Sequence, residues 1–89
     1  MKNIVIDAAR FTDKKAMYEC LHEAFGTRNF KGSNLDALHD CLTMIFEPTR
    51  ITVQNFCSAM RTLGGYADLV WHVFDDSSEE NKNLDIVFN

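Results

Sequence analysis

Apolar residues fall into two patterns along this chain, short β-branched runs and longer segments with helical spacing. The runs within Lys2–Asp7, at Ile51–Val53 and within Leu84–Phe88 are short and apolar, which is typical of strands buried in a sheet. We therefore predict three strands, one near each end of the chain and one in the middle.

The first helical segment follows the first strand, where apolar residues recur every three or four positions. Thr12 stands where a side chain can cap the helix N-terminus, and Gly26 stands where helices commonly end. We predict a helix over Asp13–Phe25, followed by a polar loop that contains Gly32.

A second helix is predicted from Leu35 to Phe46. Ser33 or Asn34 precedes it with a side chain that can accept hydrogen bonds from the first free N–H groups. Pro48 ends this segment, because the residue before a proline is pushed out of helical geometry.

Two further helices are predicted between the middle and the last strand. The first spans Asn55–Leu63 and stops at Gly64-Gly65. The second begins near Tyr66, and the polar residues 77–83 after it are expected to form a loop. Apolar residues at helical spacing define the buried face expected for this last helix: Leu69, Val70, Val73 and Phe74.

The predicted order of elements is β-α-α-β-α-α-β. Strands that are separated by helical crossovers favour parallel pairing, and helices supply the cover that such a sheet needs. We expect an α/β fold in which a three-stranded parallel sheet is flanked by four helices. Two domains cut from 89 residues would each be too small to bury a core, so residues 1–89 are expected to form one domain.

Acidic residues outnumber basic ones by 13 to 9, and the formal net charge is -4. Contacts to nucleic-acid phosphates require Lys and Arg. This balance therefore disfavours a nucleic-acid partner and suits a basic protein partner.

The predicted location is the cytoplasm. No apolar run is long enough to span a membrane, and the apolar start of the chain is interrupted at Asp7, too early for a secretion signal. Cys20, Cys41 and Cys57 are odd in number and lack metal-binding spacing, which fits buried thiols in a reducing compartment.

The second helix carries the candidate chemistry. At about 100° per residue its leucines form one apolar stripe, and Asp36 and Asp40 lie almost opposite, flanked by His39 and Thr43. Like charges one turn apart destabilise an isolated helix by about 0.2–0.5 kcal/mol. A cationic surface that docks on both carboxylates would explain the pair.

Two other interpretations of this face stay open. Helices routinely carry solvated acidic faces that bind nothing. Alternatively, Asp36, His39 and Asp40 could ligate a metal ion in a small metal-assisted hydrolase, although no supporting residues are evident around them. In the loop before the helix, Phe30 is either an interface anchor or a packed side chain.

Residues 32–43 read GSNLDALHDCLT and resemble the signature of the barstar family, whose members inhibit the ribonuclease barnase. The family motif GxNLDALxDxL is matched at every fixed position, and Val73-Phe74 followed by acidic residues resembles the family's last helix. The resemblance implies the same three-stranded parallel sheet, an inhibitor rather than an enzyme, and no cofactor or metal.

The resemblance also implies the contacts with the partner, an extracellular-type ribonuclease like barnase. Asp40 is expected to occupy the enzyme's phosphate pocket, bonded to Arg and His side chains, and Asp36 to pair with a further arginine at the rim. Loop backbone, the end of the second helix and an acid on the last helix complete this interface at four positions: Gly32, Asn34, Thr43 and Asp76.

Three departures from the family pattern bear on the target. His39 stands where the family has a large aromatic residue. Phe30-Lys31 replaces two tyrosines, and Met44-Ile45 replaces glycine and tryptophan. We still expect Phe30 and His39 to contact the partner, and we expect that partner to be a ribonuclease related to barnase. The alternative is that the chain is an immunity protein against a different toxin.

Overall fold

The computed structural model describes residues 1–89, and three parallel strands form one sheet in it. The strands are β1 (Lys2–Asp7), β2 (Thr49–Gln54) and β3 (Leu84–Phe88), in the spatial order β1-β2-β3. Both pairs are parallel, so each return to the sheet requires a crossover.

Helices form both crossovers. They are α1 (Lys14–Phe25), α2 (Leu35–Thr43), α3 (Phe56–Leu63) and α4 (Gly65–Glu80), with a short 3-10 turn at Ala8–Arg10 after β1. The predicted α/β fold, a three-stranded parallel sheet with four helices in the order β-α-α-β-α-α-β, is confirmed.

The sheet is buried on one face only. In the central strand, Ile51 and Val53 are at most 1% exposed and join the core with residues of all four helices, whereas Arg50 and Gln54 face solvent. Val5 of β1 is 60% exposed. The prediction of a buried first strand is therefore wrong at Val5, because the helices pack on the opposite face of the sheet.

The start of α1 and the end of α2 differ from their predicted positions. Asp13, rather than Thr12, caps α1, since its carboxylate accepts a hydrogen bond from the Ala16 N–H at 2.7 Å. The helix α2 ends at Thr43, before the predicted Phe46. After Thr43 the backbone carbonyls are bonded by side chains from another part of the chain.

The last helix runs through residues that were expected to form a loop. Its turns continue to Glu80, although Ser77–Glu80 is polar throughout. Its fully buried positions lie three or four residues apart and include a serine: Ala67, Val70, Phe74 and Ser77. The buried face of α4 is therefore rotated from the predicted one: Leu69 was expected to be buried but is 50% exposed.

Asn81 fastens the end of α4 to the end of α2. Its buried amide donates hydrogen bonds to the carbonyl oxygens of Leu42 at 3.0 Å and Ile45 at 2.8 Å, with Thr43 at 3.3 Å. The side-chain oxygen of Asn81 (Oδ1) accepts a hydrogen bond from the backbone N–H of Asn83 at 3.0 Å. These bonds satisfy carbonyls that a helix end leaves free.

The three cysteines are free, and Cys20 and Cys41 are buried as predicted. Cys57 is exposed, so the prediction of three buried thiols is wrong at that position. None of the helices has both the length and the apolar composition that a membrane-spanning segment requires.

Candidate functional site

The acidic face is carried by α2, whose orientation is set by its ends and its core side. Asn34 caps the helix, because its side-chain oxygen accepts from the Ala37 N–H at 2.7 Å. Leu38 and Leu42 are completely buried. The other side of the helix, with Asp36 and Asp40, is consequently held toward solvent.

Asp36 and Asp40 are exposed, and neither takes part in a salt bridge within the chain. No side chain donates a hydrogen bond to either carboxylate. Residues at this spacing lie on one helix face, about 5–6 Å apart between their Cβ atoms. The fold therefore presents two negative charges together without neutralising them.

His39 lies at the border between α2 and α4 instead of facing outward with the carboxylates. Its Nε2 donates to Glu80 Oε2 at 2.7 Å, and the imidazole is half-buried. Thr43, one turn later, donates its hydroxyl to the His39 carbonyl at 2.9 Å. Both side chains stay beside the acidic face, but each already has a partner within the chain.

Phe30 is 1% exposed. Its ring packs with Tyr18 and Phe25 of α1, at centroid distances of 6.2 and 6.4 Å. The expectation that its side chain anchors a partner is therefore corrected: the packed alternative is the one found, because α1 offers an aromatic pocket under the loop.

The loop reaches the start of α2 through Gly32, which has a φ of +99°. A Cβ at this position would lie 3.3 Å from the Cβ of Ala37, so the backbone approaches the helix more closely than a side chain allows. The exposed backbone of Gly32 and the cap residue Asn34 sit beside the acidic helix, as the sequence predicted.

His22 of α1 holds this loop, a role that sequence reasoning missed. Its Nε2 donates to the Gly32 carbonyl oxygen at 2.6 Å, because a carbonyl can only accept. The imidazole also meets the Phe30 ring edge-on, with centroids 4.7 Å apart. The loop-to-helix contact spans ten residues, and no local spacing signals it.

A groove separates the loop from α2. Its charged lining consists of Arg28 and Lys31 on the loop side and Asp36 and Asp40 on the helix side. No salt bridge joins the two sides. A ligand surface that enters this groove meets carboxylates on one wall and two cations on the other.

Asp76, the predicted acidic contact on α4, is exposed. Glu80 follows it by one helical turn and contacts His39. Asp76 therefore lies on the helix that borders α2, and it extends the negative charge beyond α2 itself.

The arrangement gives no support to a metal site on α2 or to Cys41 as a nucleophile. No three His, Cys, Asp or Glu side chains are grouped so that they could hold a metal ion, and His39 is directed to Glu80. Burial raises the pKa of Cys41 to about 11, which keeps this thiol protonated and unreactive near neutral pH. Binding through the charged face is the chemistry that these residues offer.

Two comparisons with known proteins bear on the family of this chain. The family model described as "Barstar (barnase inhibitor)" matches residues 1–89. A Bacillus subtilis (strain 168) protein named "Putative ribonuclease inhibitor YrdF" is 34% identical over 84 residues, which cover 93% of this chain and 92% of that protein.

Proposed function

The chain belongs to the barstar family, and on that premise we propose that it inhibits a barnase-type ribonuclease by inserting the carboxylates of α2 into the enzyme's basic active site. Asp40 takes the place of a substrate phosphate, and Asp36 pairs with a cation at the rim. Gly32, Asn34, Thr43 and Asp76 contribute at the periphery. The protein acts as a binding partner and performs no catalysis.

The observation that carries this proposal is the pair of exposed, unpaired carboxylates on a helix that is fixed at both ends. Unpaired charges in a flexible segment would lose freedom on binding. Here the Asn34 cap and the bonds from Asn81 already hold the helix in place. The carboxylates can therefore meet a partner with little further ordering.

A ribonuclease site suits such a ligand. It is a basic cleft arranged to bind a phosphate, and a carboxylate accepts the same charge-assisted hydrogen bonds from arginine. The acidic net charge speeds encounter with a basic enzyme, and added salt slows it because it screens the attraction.

The loop cations favour one alternative within the same family. Arg28 and Lys31 face the carboxylates across the groove, where they repel a uniformly basic surface. An immunity protein against another toxin, whose surface presents both cations and an acidic group, would use them. The variant Lys31→Ala distinguishes these two kinds of target. It should bind a uniformly basic enzyme more tightly and a surface of mixed charge more weakly than the unmodified protein does.

The test of the main proposal is a titration of barnase with this protein while RNA cleavage is followed. We expect one equivalent to abolish cleavage. Asp40→Ala should weaken binding by more than about 2 kcal/mol, the range of interface hot spots, because it removes the phosphate mimic.

The control is Asp68→Ala, which removes the same charge from α4. Asp68 lies twelve residues before Glu80, about 18 Å away along the helix, and it is exposed. This variant should inhibit as the unmodified protein does. Failure of excess protein to inhibit barnase, or a loss below about 1 kcal/mol in Asp40→Ala, would overturn the proposal.

A further inference from the structure

Two large apolar side chains stand in solvent directly after α2. Met44 is 77% exposed and Phe46 is 89% exposed, the highest values among the large hydrophobic residues. The Met44 N–H donates to the Asp40 backbone carbonyl at 3.1 Å, so this apolar segment begins one helical turn after Asp40. Exposed apolar surface next to a binding face commonly belongs to the interface.

The segment is held rigidly, although its side chains are exposed. Asn81 donates to the Ile45 carbonyl at 2.8 Å, and Asn83 donates to the same oxygen at 3.3 Å. Because Asn81 is buried, these bonds are shielded from competing water. The fold thus fixes the backbone between Met44 and Phe46.

An apolar groove opens beside this segment, with a volume of about 300 Å³. Its apolar lining comes from β1, α1, α2 and the segment itself: Ile4, Phe25, Cys41, Met44, Ile45 and Phe46. Pockets for small molecules start at about 300 Å³, so a groove of this size that is open to solvent suits a protruding side chain better than a cofactor.

The apolar groove is continuous with the charged groove of the acidic face. Four residues line both: Arg28, Asn29, Cys41 and Met44. At the far rim, Lys2 and Glu47 pair at 3.7 Å and offset each other's charge. A partner that docks on Asp36 and Asp40 therefore lies next to the apolar groove.

We propose that Met44, Phe46 and the apolar groove form the second half of the inhibitor's interface, and that they receive an apolar side chain from the rim of the ribonuclease's basic cleft. This inference rests on the proposed function. The carboxylates supply charge complementarity and steering, and the apolar half supplies contact area that holds the complex together. The target is then a basic enzyme with an exposed apolar residue next to its phosphate pocket.

The test compares Phe46→Ser and Met44→Ser with Met60→Ser in binding to barnase. Met60 is 57% exposed on α3, outside both grooves, and serves as the matched control. We expect Phe46→Ser to weaken binding at least tenfold, mainly by faster dissociation, and Met44→Ser several-fold. Met60→Ser should bind as the unmodified protein does.

Salt provides the second measurement. Apolar contact is not screened by ions, so the Phe46→Ser loss should be the same at low and high salt, whereas the Asp40→Ala loss should shrink as salt rises. Unfolding midpoints of the serine variants should match that of the unmodified protein, because both side chains are exposed.

Two results would overturn the inference. The first is unchanged affinity in both serine variants while Asp40→Ala loses inhibition, which leaves the proposed function standing. The second is a dimer seen by sedimentation that Phe46→Ser dissociates, which would assign the patch to a second copy of this chain. If the unmodified protein does not inhibit barnase at all, the proposed function fails, and this inference fails with it.

Discussion

The two sides of α2 differ in what they contact. On the outer side, Asp36 and Asp40 are exposed, and neither forms an ion pair that stabilises the fold. On the inner side, Leu38 and Leu42 are completely buried, and Asn81 bonds the carbonyls at the helix end. The groups that we propose to bind a partner and the groups that stabilise the chain thus lie on opposite sides of one short helix, and we expect that each set can be changed without affecting the other.

The largest expected effect on stability comes from the inner side. Leu42→Ala should lower the free energy of unfolding by about 2–5 kcal/mol, because it removes buried methyl groups and leaves a cavity. Asp40→Ala should leave stability unchanged or raise it by about 0.2–0.5 kcal/mol, since it relieves repulsion from Asp36 one turn away. Urea denaturation of both variants measures the difference.

Binding assays complete this comparison. Leu42→Ala, at temperatures where it is folded, should bind barnase as the unmodified protein does, whereas Asp40→Ala should bind it more weakly by more than about 2 kcal/mol. Two observations would contradict this division between binding and stabilising groups: marked destabilisation by Asp40→Ala, or full loss of inhibition in folded Leu42→Ala.

The next largest effect is a loss of stability at alkaline pH, and it also comes from the inner side. Burial raises the pKa of Cys41 from 9.0 to about 11. Between these values the unfolded chain releases the thiol proton and the folded chain keeps it. This group contributes its full stabilisation below pH 9, and the contribution falls as the pH rises toward 11, by up to about 2 kcal/mol.

Urea midpoints measured between pH 8 and 11 test this. Burial also raises the pKa of the Cys20 thiol and of the Tyr18 hydroxyl, so the unmodified protein should lose stability from all three groups. Cys41→Ala should show a shallower decline than the unmodified protein. Parallel curves for the two would contradict the assignment to Cys41.

The sequence predicted both sides of α2, including the buried Leu38 and Leu42, better than the contacts that hold the end of the helix. The positions of Asp36 and Asp40 follow from helical periodicity, which is a local property of nine residues. The strands and their parallel order also follow from local patterns and crossover lengths. The motif around Asp36 and Asp40 resembled one family, and the family match over residues 1–89 confirms it.

Long-range contacts could not be predicted. Ser77–Glu80 is polar, and nothing in its composition shows that α4 continues there and delivers Glu80 to His39. Asn81 bonds carbonyls of residues that precede it by 36 to 39 positions. The sequence could not decide whether Phe30 packs or anchors a partner, because the aromatic side chains that bury it belong to α1 and not to its own loop.

The smallest effect concerns the loop, where one residue supports a binding surface without touching the core of α2. His22→Phe keeps a ring against Phe30 but removes the hydrogen bond to the Gly32 carbonyl. We expect binding to barnase to weaken by about 0.5–1.5 kcal/mol, the contribution of one hydrogen bond, because the loop backbone is less ordered before it docks. Unfolding midpoints should change little, since this bond is exposed.

Rescue distinguishes this positioning role from a general effect on packing. The amide of glutamine can place a donor near the position of the imidazole Nε2, so His22→Gln should recover most of the affinity that His22→Phe loses. Calorimetry or surface-binding kinetics at one salt concentration would measure all three proteins. If His22→Phe binds as tightly as the unmodified protein, the loop is held by Phe30 and the Asn34 cap alone. If both variants bind equally weakly, the imidazole itself contacts the partner, and the outer face of the molecule extends onto α1.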